Sequence, residues 1–237
     1  MEKVLEVINL RKSYGGNQVL ESVNLSVKSG EAVGIIGPNG SGKTTLINII
    51  SGITKQNSGT IRFKNVDVSD EPPHRRAKLG IGRTFQTPRP FPGLTVWENI
   101  QIACAHSGRE SNPKDILKRI GLYELRDRRG GELSLAQRKR LEMARAMALK
   151  PSLLLLDEVF AGLNPASIKE MWNMLRGLKE DGVSILMVEH VLKAMFGLVD
   201  RIVALHEGKV IYDGSIEGML ENEEVRRAYL GERHPTS

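Results

Sequence analysis

The stretch Gly37-Pro38-Asn39-Gly40-Ser41-Gly42-Lys43-Thr44 constrains this chain more than any other. It is a complete Gly-x-x-x-x-Gly-Lys-Thr phosphate loop, and its setting is the one that pattern requires. Ala32-Val33-Gly34-Ile35-Ile36 before it reads as a buried strand. Thr45-Leu46-Ile47-Asn48-Ile49-Ile50 after it reads as an apolar helix that stops near Gly52. Glycines let backbone N–H groups curl round phosphate oxygens, where a Cβ would block the approach. The opening helix, with Thr45 in its first turn, adds unpaired N–H groups and the positive end of its dipole. Lys43 reaches the β- and γ-phosphates, and the Thr44 hydroxyl ligates Mg²⁺. The loop pattern alone arises by chance in roughly one chain in a hundred of this length. The strand-loop-helix frame makes coincidence far rarer. A nucleoside triphosphate is the expected ligand.

Around this centre the chain divides by character. Val4 to Leu10 alternates as a half-exposed strand, and Val19 to Val27 offers further short strands before the turn at Lys28-Ser29-Gly30. Thr60-Ile61-Arg62-Phe63 and Val66 suggest antiparallel structure beside the main sheet. Thr87 to Gly93 holds three prolines and reads as a stiff connector. Thr95 to Leu149 turns helical with basic clusters, interrupted by a polar surface loop at Ser107 to Pro113. The run Leu153-Leu154-Leu155-Leu156 then suits a parallel strand covered on both faces. A helix over Ser167 to Lys179, a buried strand over Val183 to Val188, and a hairpin turning at Glu207-Gly208 follow.

The expected fold is α/β: a P-loop NTPase core with a mostly parallel sheet, an N-terminal antiparallel β subdomain and an inserted α-helical lobe. One domain spans 1–237, with 1–86 and 151–237 as nucleotide-binding core and 87–150 as the lobe. The 237 residues suffice for a sizeable core, and the net charge of +6 permits an anionic partner without requiring one. No stretch approaches the ~20 apolar residues of a membrane helix, and Met1-Glu2-Lys3 does not read as a signal peptide. Cys104 is the single cysteine, which excludes an internal disulfide or a cysteine metal cluster.

Asp157-Glu158 closes the Leu153–Leu156 strand, at the end where such sheets bind ligands. Asp157 is placed to hold Mg²⁺, directly or through water, and Glu158 to orient and deprotonate the attacking water. Leu133-Ser134-Leu135-Ala136-Gln137 reads as a capping box that starts a helix, and a capped helix start is also an anion site.

In this order the segments resemble an ABC-transporter ATPase subunit over nearly the whole chain. Gly82-Arg83-Thr84-Phe85-Gln86 resembles the family's Q-loop, Leu133–Gln137 its signature, Leu153–Glu158 its Walker B strand, and Gly162-Leu163-Asn164-Pro165 its D-loop. His190 stands where the family has its switch histidine, and Tyr14 where it stacks an aromatic on adenine. The resemblance implies two subunits that sandwich two ATP molecules, each between one P-loop and the other chain's signature helix. Ser134 would then face a γ-phosphate across the dimer, His190 would contact that phosphate, and Gln86 would reach Mg²⁺ and water. Water would attack the γ-phosphorus in line, with charge spread over Mg²⁺, Lys43 and backbone N–H groups.

Four residues depart from the family pattern. Leu135 and Ala136 replace the signature glycines, Val159 follows Glu158 in place of proline, and Asn164 replaces the D-loop aspartate. Gly80–Gln86, Leu94-Thr95-Val96-Trp97-Glu98-Asn99-Ile100, Gly162–Pro165 and Arg226-Arg227-Ala228-Tyr229-Leu230-Gly231-Glu232 resemble the branched-chain amino-acid (Liv-type) import ATPases. Urea and short-chain amide importers share several of these segments. The implied partners are transmembrane permease subunits, a second copy or a paralogous ATPase, and a substrate-binding protein. The implied location is cytoplasmic, peripheral on the inner face of the membrane. A soluble ABC ATPase of DNA repair or translation is the alternative. The chain has neither the coiled coil or zinc module of the first nor the paired ATPase units of the second. With aromatics at 5% and no stacking platform, no nucleic acid is expected.

Overall fold

The computed structural model describes residues 2–107, 110–190 and 192–230. Gly108 and Arg109 of the polar loop, and Gly231 and Glu232 of the C-terminal segment, lie outside the described residues, as does Met1.

Two sheets form. β1 (Lys3–Tyr14) and β2 (Asn17–Lys28) make one long hairpin, completed by β4 (Ser58–Phe63) and β5 (Val66–Asp67) in the antiparallel order β2-β1-β4-β5. The short strands expected over Val19–Val27 are a single strand here. Several shifts of register along β1 and β2, with Asn9 and Ser22 at positive φ, let one long ribbon bend without breaking.

The second sheet holds β3 (Ala32–Ile36), β6 (Ile81–Arg83), β7 (Leu153–Asp157), β8 (Ser184–Val188), β9 (Arg201–His206) and β10 (Lys209–Gly214). Its order is β10-β9-β3-β8-β7-β6, all parallel except the edge strand β10. The β9–β10 turn puts Glu207 at φ 46° and Gly208 at φ 77°. Two successive positive φ values match the twist of a two-residue hairpin.

The four leucines of β7 show why its run is continuous. Leu153 and Leu155 join a cluster with Leu46, Ile49 and Phe63, under α1 (Lys43–Ile50) and the antiparallel sheet. Leu154 and Leu156 join the opposite cluster with Leu141, Ala144 and Leu175, from α5 (Leu135–Ala148) and α6 (Pro165–Glu180). Alternate side chains thus serve opposite cores, and each buried leucine stabilises by about 2 kcal/mol.

Between β5 and β6 the chain forms α2 (Pro73–Leu79), which the sequence reading did not foresee. Its Arg76 is buried, and Nη1 donates to Ile49 O and Ile50 O at 2.7 and 2.9 Å. A side chain from another element thereby satisfies the last carbonyls of α1. Between β6 and β7 come α3 (Val96–His106), α4 (Pro113–Arg119) and α5. The proline-rich connector before α3 is pinned by buried Asn99, which bonds Phe91 at both its N–H and its carbonyl. α7 (Leu192–Met195) lies between β8 and β9, and α8 (Ile216–Glu221) and α9 (Glu223–Leu230) follow β10. No described helix is long and apolar enough to cross a membrane.

Candidate nucleotide site

The P-loop leaves β3, Gln86 follows β6, Asp157 ends β7 with Glu158 next, and Glu189 and His190 follow β8. Because β3, β8, β7 and β6 are parallel neighbours, all four groups emerge at the carboxyl end of one sheet. Two glycines of the loop pack too tightly for a Cβ. A Cβ on Gly37 would stand 2.1 Å from Leu205 O, and one on Gly42 2.8 Å from Val19 O. Gly42 also sits at φ 101° and precedes α1 without a side-chain cap, so the first N–H groups of α1 stay open to an anion. Lys43 is 6% exposed, and its Nζ donates to Gly37 O and Pro38 O at 2.7 and 2.8 Å. Burial pulls its ammonium below the ordinary lysine range, while Glu158 and Asp157 oppose that shift.

Glu158 is held at both carboxylate oxygens. Gln86 Nε2 donates to Oε2 at 2.7 Å, and His190 Nε2 lies 2.9 Å from Oε1. Its backbone is left-handed, with φ 50°. Asp157 is buried, with Oδ2 3.6 Å from Arg83 Nη2 and, among the described residues, no hydrogen-bond partner for Oδ1. Burial raises its carboxyl, and Arg83 works against that. A buried carboxylate oxygen without a donor suits a hard cation. Among the described residues no group of three or more His, Cys, Asp or Glu could hold a metal. A Mg²⁺ ion that draws most of its ligands from phosphate and water needs no such group. The Ser41 hydroxyl is likewise buried without a partner among the described residues.

Three expected positions lie apart from this cluster. Tyr14 is exposed at the β1–β2 turn, with Lys12 Nζ 4.7 Å from its ring centre. Val19 and Leu20, a few residues on, contact Gly42, so the hairpin end flanks the loop. Ser134 is exposed and caps α5 reciprocally with Gln137. The side chain of Leu135 leans on the turn at Gly162, where an added Cβ would sit 3.0 Å from its Cδ2. Asn164 caps α6 through a bond from Ser167 N–H at 2.9 Å. The exchange of aspartate for asparagine therefore keeps a helix cap.

Sequence reasoning missed several neighbours. Arg83 reaches Ser51 Oγ, Asn48 Oδ1 and Asp157, and its guanidinium lies 4.8 Å over the Phe85 ring. The Tyr229 hydroxyl meets the Gly37 backbone N–H, and burial pushes it to about 12, although the residue as a whole is 45% exposed. Glu142 of α5 accepts from Phe85 N–H, and Glu189 accepts from Phe160 N–H at 3.0 Å. Burial raises both carboxyls from 4.5 to about 7. Such an acid ionises first in the unfolded chain, so stability falls as pH rises from about 4.5 to about 7 and levels above that. The gap in Tm between Glu189→Gln and wild type should therefore widen by roughly several degrees between about pH 5 and pH 7.5. A constant gap in thermal melts would show that Glu189 ionises normally in the fold.

Comparison with known proteins agrees with this geometry. The family described as ABC transporter matches residues 20–161. A probable ABC transporter ATP-binding protein of Azorhizobium caulinodans is 39% identical over 236 residues, covering 98% of this chain and 84% of that protein. The lipopolysaccharide export system ATP-binding protein LptB of Escherichia coli K12 is 36% identical over 230 residues, covering 94% and 95%. The solved dimer of an ATP-binding cassette in a post-hydrolysis state, bound to ADP and Pi, superposes with a TM-score of 0.81 at 28% identity, covering 89% and 98%.

Proposed function

The chain belongs to the ABC transporter family as an ATP-hydrolysing, ATP-binding subunit, and from that premise we propose the roles of its residues and its cargo. Gly37 to Thr45 grip the phosphates through backbone N–H groups and the Lys43 ammonium. Asp157, Thr44 and Gln86 hold Mg²⁺, which when bound offsets negative charge on the phosphates. Glu158 takes a proton from the attacking water, and His190 orients both that carboxylate and the γ-phosphate. Tyr14 stacks on the adenine, and Ser134 serves the ATP of a second chain. The observation that carries this reading is the Glu158 carboxylate gripped between Gln86 and His190 at the strand ends beside the P-loop lysine.

The residues 87–150 act as a lobe that couples the site to transmembrane permease subunits, and the chain works on the cytoplasmic face of the membrane. For the cargo, Gly80–Gln86, Leu94–Ile100 and Gly162–Pro165 support import of branched-chain amino acids together with a substrate-binding protein. A second reading, lipopolysaccharide export, is favoured by relatives of that name at 36% identity. Uptake of labelled leucine against transport of lipopolysaccharide, in vesicles holding the subunit with its permease, separates the two.

The site itself is tested by Asp157→Asn. Phosphate release from ATP with Mg²⁺ should fall by ~10²-fold or more, since a preorganised charge at the transferring phosphoryl group is lost. Wild-type release by the variant would remove Asp157 from the site.

A further inference from the structure

α5 carries the Ser134 cap at its N-terminus and, five residues further on, Lys139. Lys139 lies within the basic run Arg138-Lys139-Arg140, yet it is 6% exposed. Its Nζ donates to Glu158 O at 2.8 Å and to Val159 O at 3.2 Å. Both carbonyls belong to the turn just after β7. In that turn Glu158 is left-handed at φ 50°, and its N–H donates to Val188 O at 2.9 Å. A non-glycine residue keeps such a backbone only where its surroundings over-determine it. The next link is Phe160 N–H, which donates to the buried Glu189 carboxylate beside His190. The ammonium is buried among the carboxyls of Glu189, Glu158 and Glu142, which oppose the desolvation that lowers its pKa. A buried charge with directed bonds to two peptide carbonyls is costly to keep for packing alone.

We propose that Lys139 is a positioning residue for Glu158, fixing the turn that presents the carboxylate to Gln86 and His190. The inference rests on the reading of Glu158 as the group that activates water. It also gives α5 a second task. The helix is a stiff rod with a rise of about 1.5 Å per residue, so Ser134 and Lys139 stand about 7.5 Å apart along its axis. Any shift of the Ser134 turn against a second chain's nucleotide moves the grip on this chain's own Glu158. The two sites of a sandwich would thereby be coupled through one side chain in each subunit.

Lys139→Met keeps the apolar stem and removes both bonds. Its kcat should fall ~10- to 10²-fold, as misplacement of a reacting group by a fraction of an ångström to an ångström does, with ATP affinity within about twofold of wild type. Thermal stability should fall, because two buried carbonyls and the neighbouring carboxyls lose their cation, so kcat is read well below the melting temperature. Lys139→Arg, which can donate to the same carbonyls, should recover most of the loss. In a Glu158→Gln background, Lys139→Met should lower single-turnover hydrolysis by less than about twofold, since the group it positions is already missing. A purely structural loss would appear equally in both backgrounds. Wild-type kcat in Lys139→Met, or equal losses with and without Glu158, would overturn the proposal. Near wild-type turnover in Glu158→Gln alone would instead overturn the reading of Glu158. Should Lys139→Met fail to fold, Lys139→Gln carries the same comparison, and failure of both to fold would make the residue structural and end the proposal.

Discussion

Glu158→Gln should cut steady-state ATP hydrolysis by ~10²–10⁴-fold while leaving equilibrium ATP binding within about twofold of wild type. The structure explains why the exchange is clean. Glu158 accepts from Gln86 Nε2 at one oxygen and meets His190 Nε2 at the other. A glutamine of the same size can direct its carbonyl to Gln86 and its NH₂ to a neutral His190 ring. Both contacts then survive, and only the proton acceptor disappears. The left-handed backbone at φ 50° is held by Val188 O and Lys139, neither of which touches the side chain, so the turn should persist. Phosphate release and binding of a fluorescent ATP analogue give the two readouts. Turnover near wild type would remove Glu158 from the chemistry and shift attention to the Gln86 and His190 pair.

The second large effect concerns two chains. If each ATP is shared between the P-loop of one chain and Ser134 of the other, lesions should complement across the dimer. Lys43→Ala removes the ammonium that now bonds Gly37 O and Pro38 O. Ser134→Arg blocks the exposed start of α5 and also deletes its cap, at a cost of about 1 kcal/mol to that helix. Each homodimer then carries two damaged sites. A mixed dimer gathers both lesions in one composite site and leaves the other intact. Mixing two inactive preparations should therefore restore trapping of nucleotide in up to one site per mixed dimer. Trapping is the better measurement, because turnover can require both sites at once. Mixed dimers shown to form, yet trapping no more than either parent, would leave Ser134 as a helix cap alone.

Much of the architecture was legible in residue order. A glycine loop between an apolar strand and an apolar helix admits few folds, because only a backbone free of Cβ atoms can wrap a phosphate. Period and punctuation placed α6 and β8 within a few residues and found the β9–β10 hairpin. They also foresaw the cap at Ser134, because these features depend on neighbours three or four residues away. α2 escaped, since a short helix among prolines and basic residues has no apolar stripe, and Arg76 declares its role only through the carbonyls of α1. The strand over Val19–Val27 was cut short because bulges disturb alternation without ending the pairing.

The ends of the sheet were decided by tertiary structure alone. Arg138, Lys139 and Arg140 are one basic cluster in the sequence, where nothing tells them apart. A helix turns about 100° per residue, so folding sends them different ways. Lys139 goes inward to Glu158 O, while Arg140 bonds Glu170 at the surface. Likewise Glu142 and Glu189 look like ordinary acids until burial raises them to about 7, and Tyr229 is a residue of the chain's end until α9 lays its hydroxyl on Gly37. Local patterning could specify the loop, the strands and the caps, because their partners lie within a turn or two. The grip on Glu158 joins residues 86, 139, 158 and 190, and only the strand order β3-β8-β7-β6, with α5 packed across it, brings them within hydrogen-bond reach.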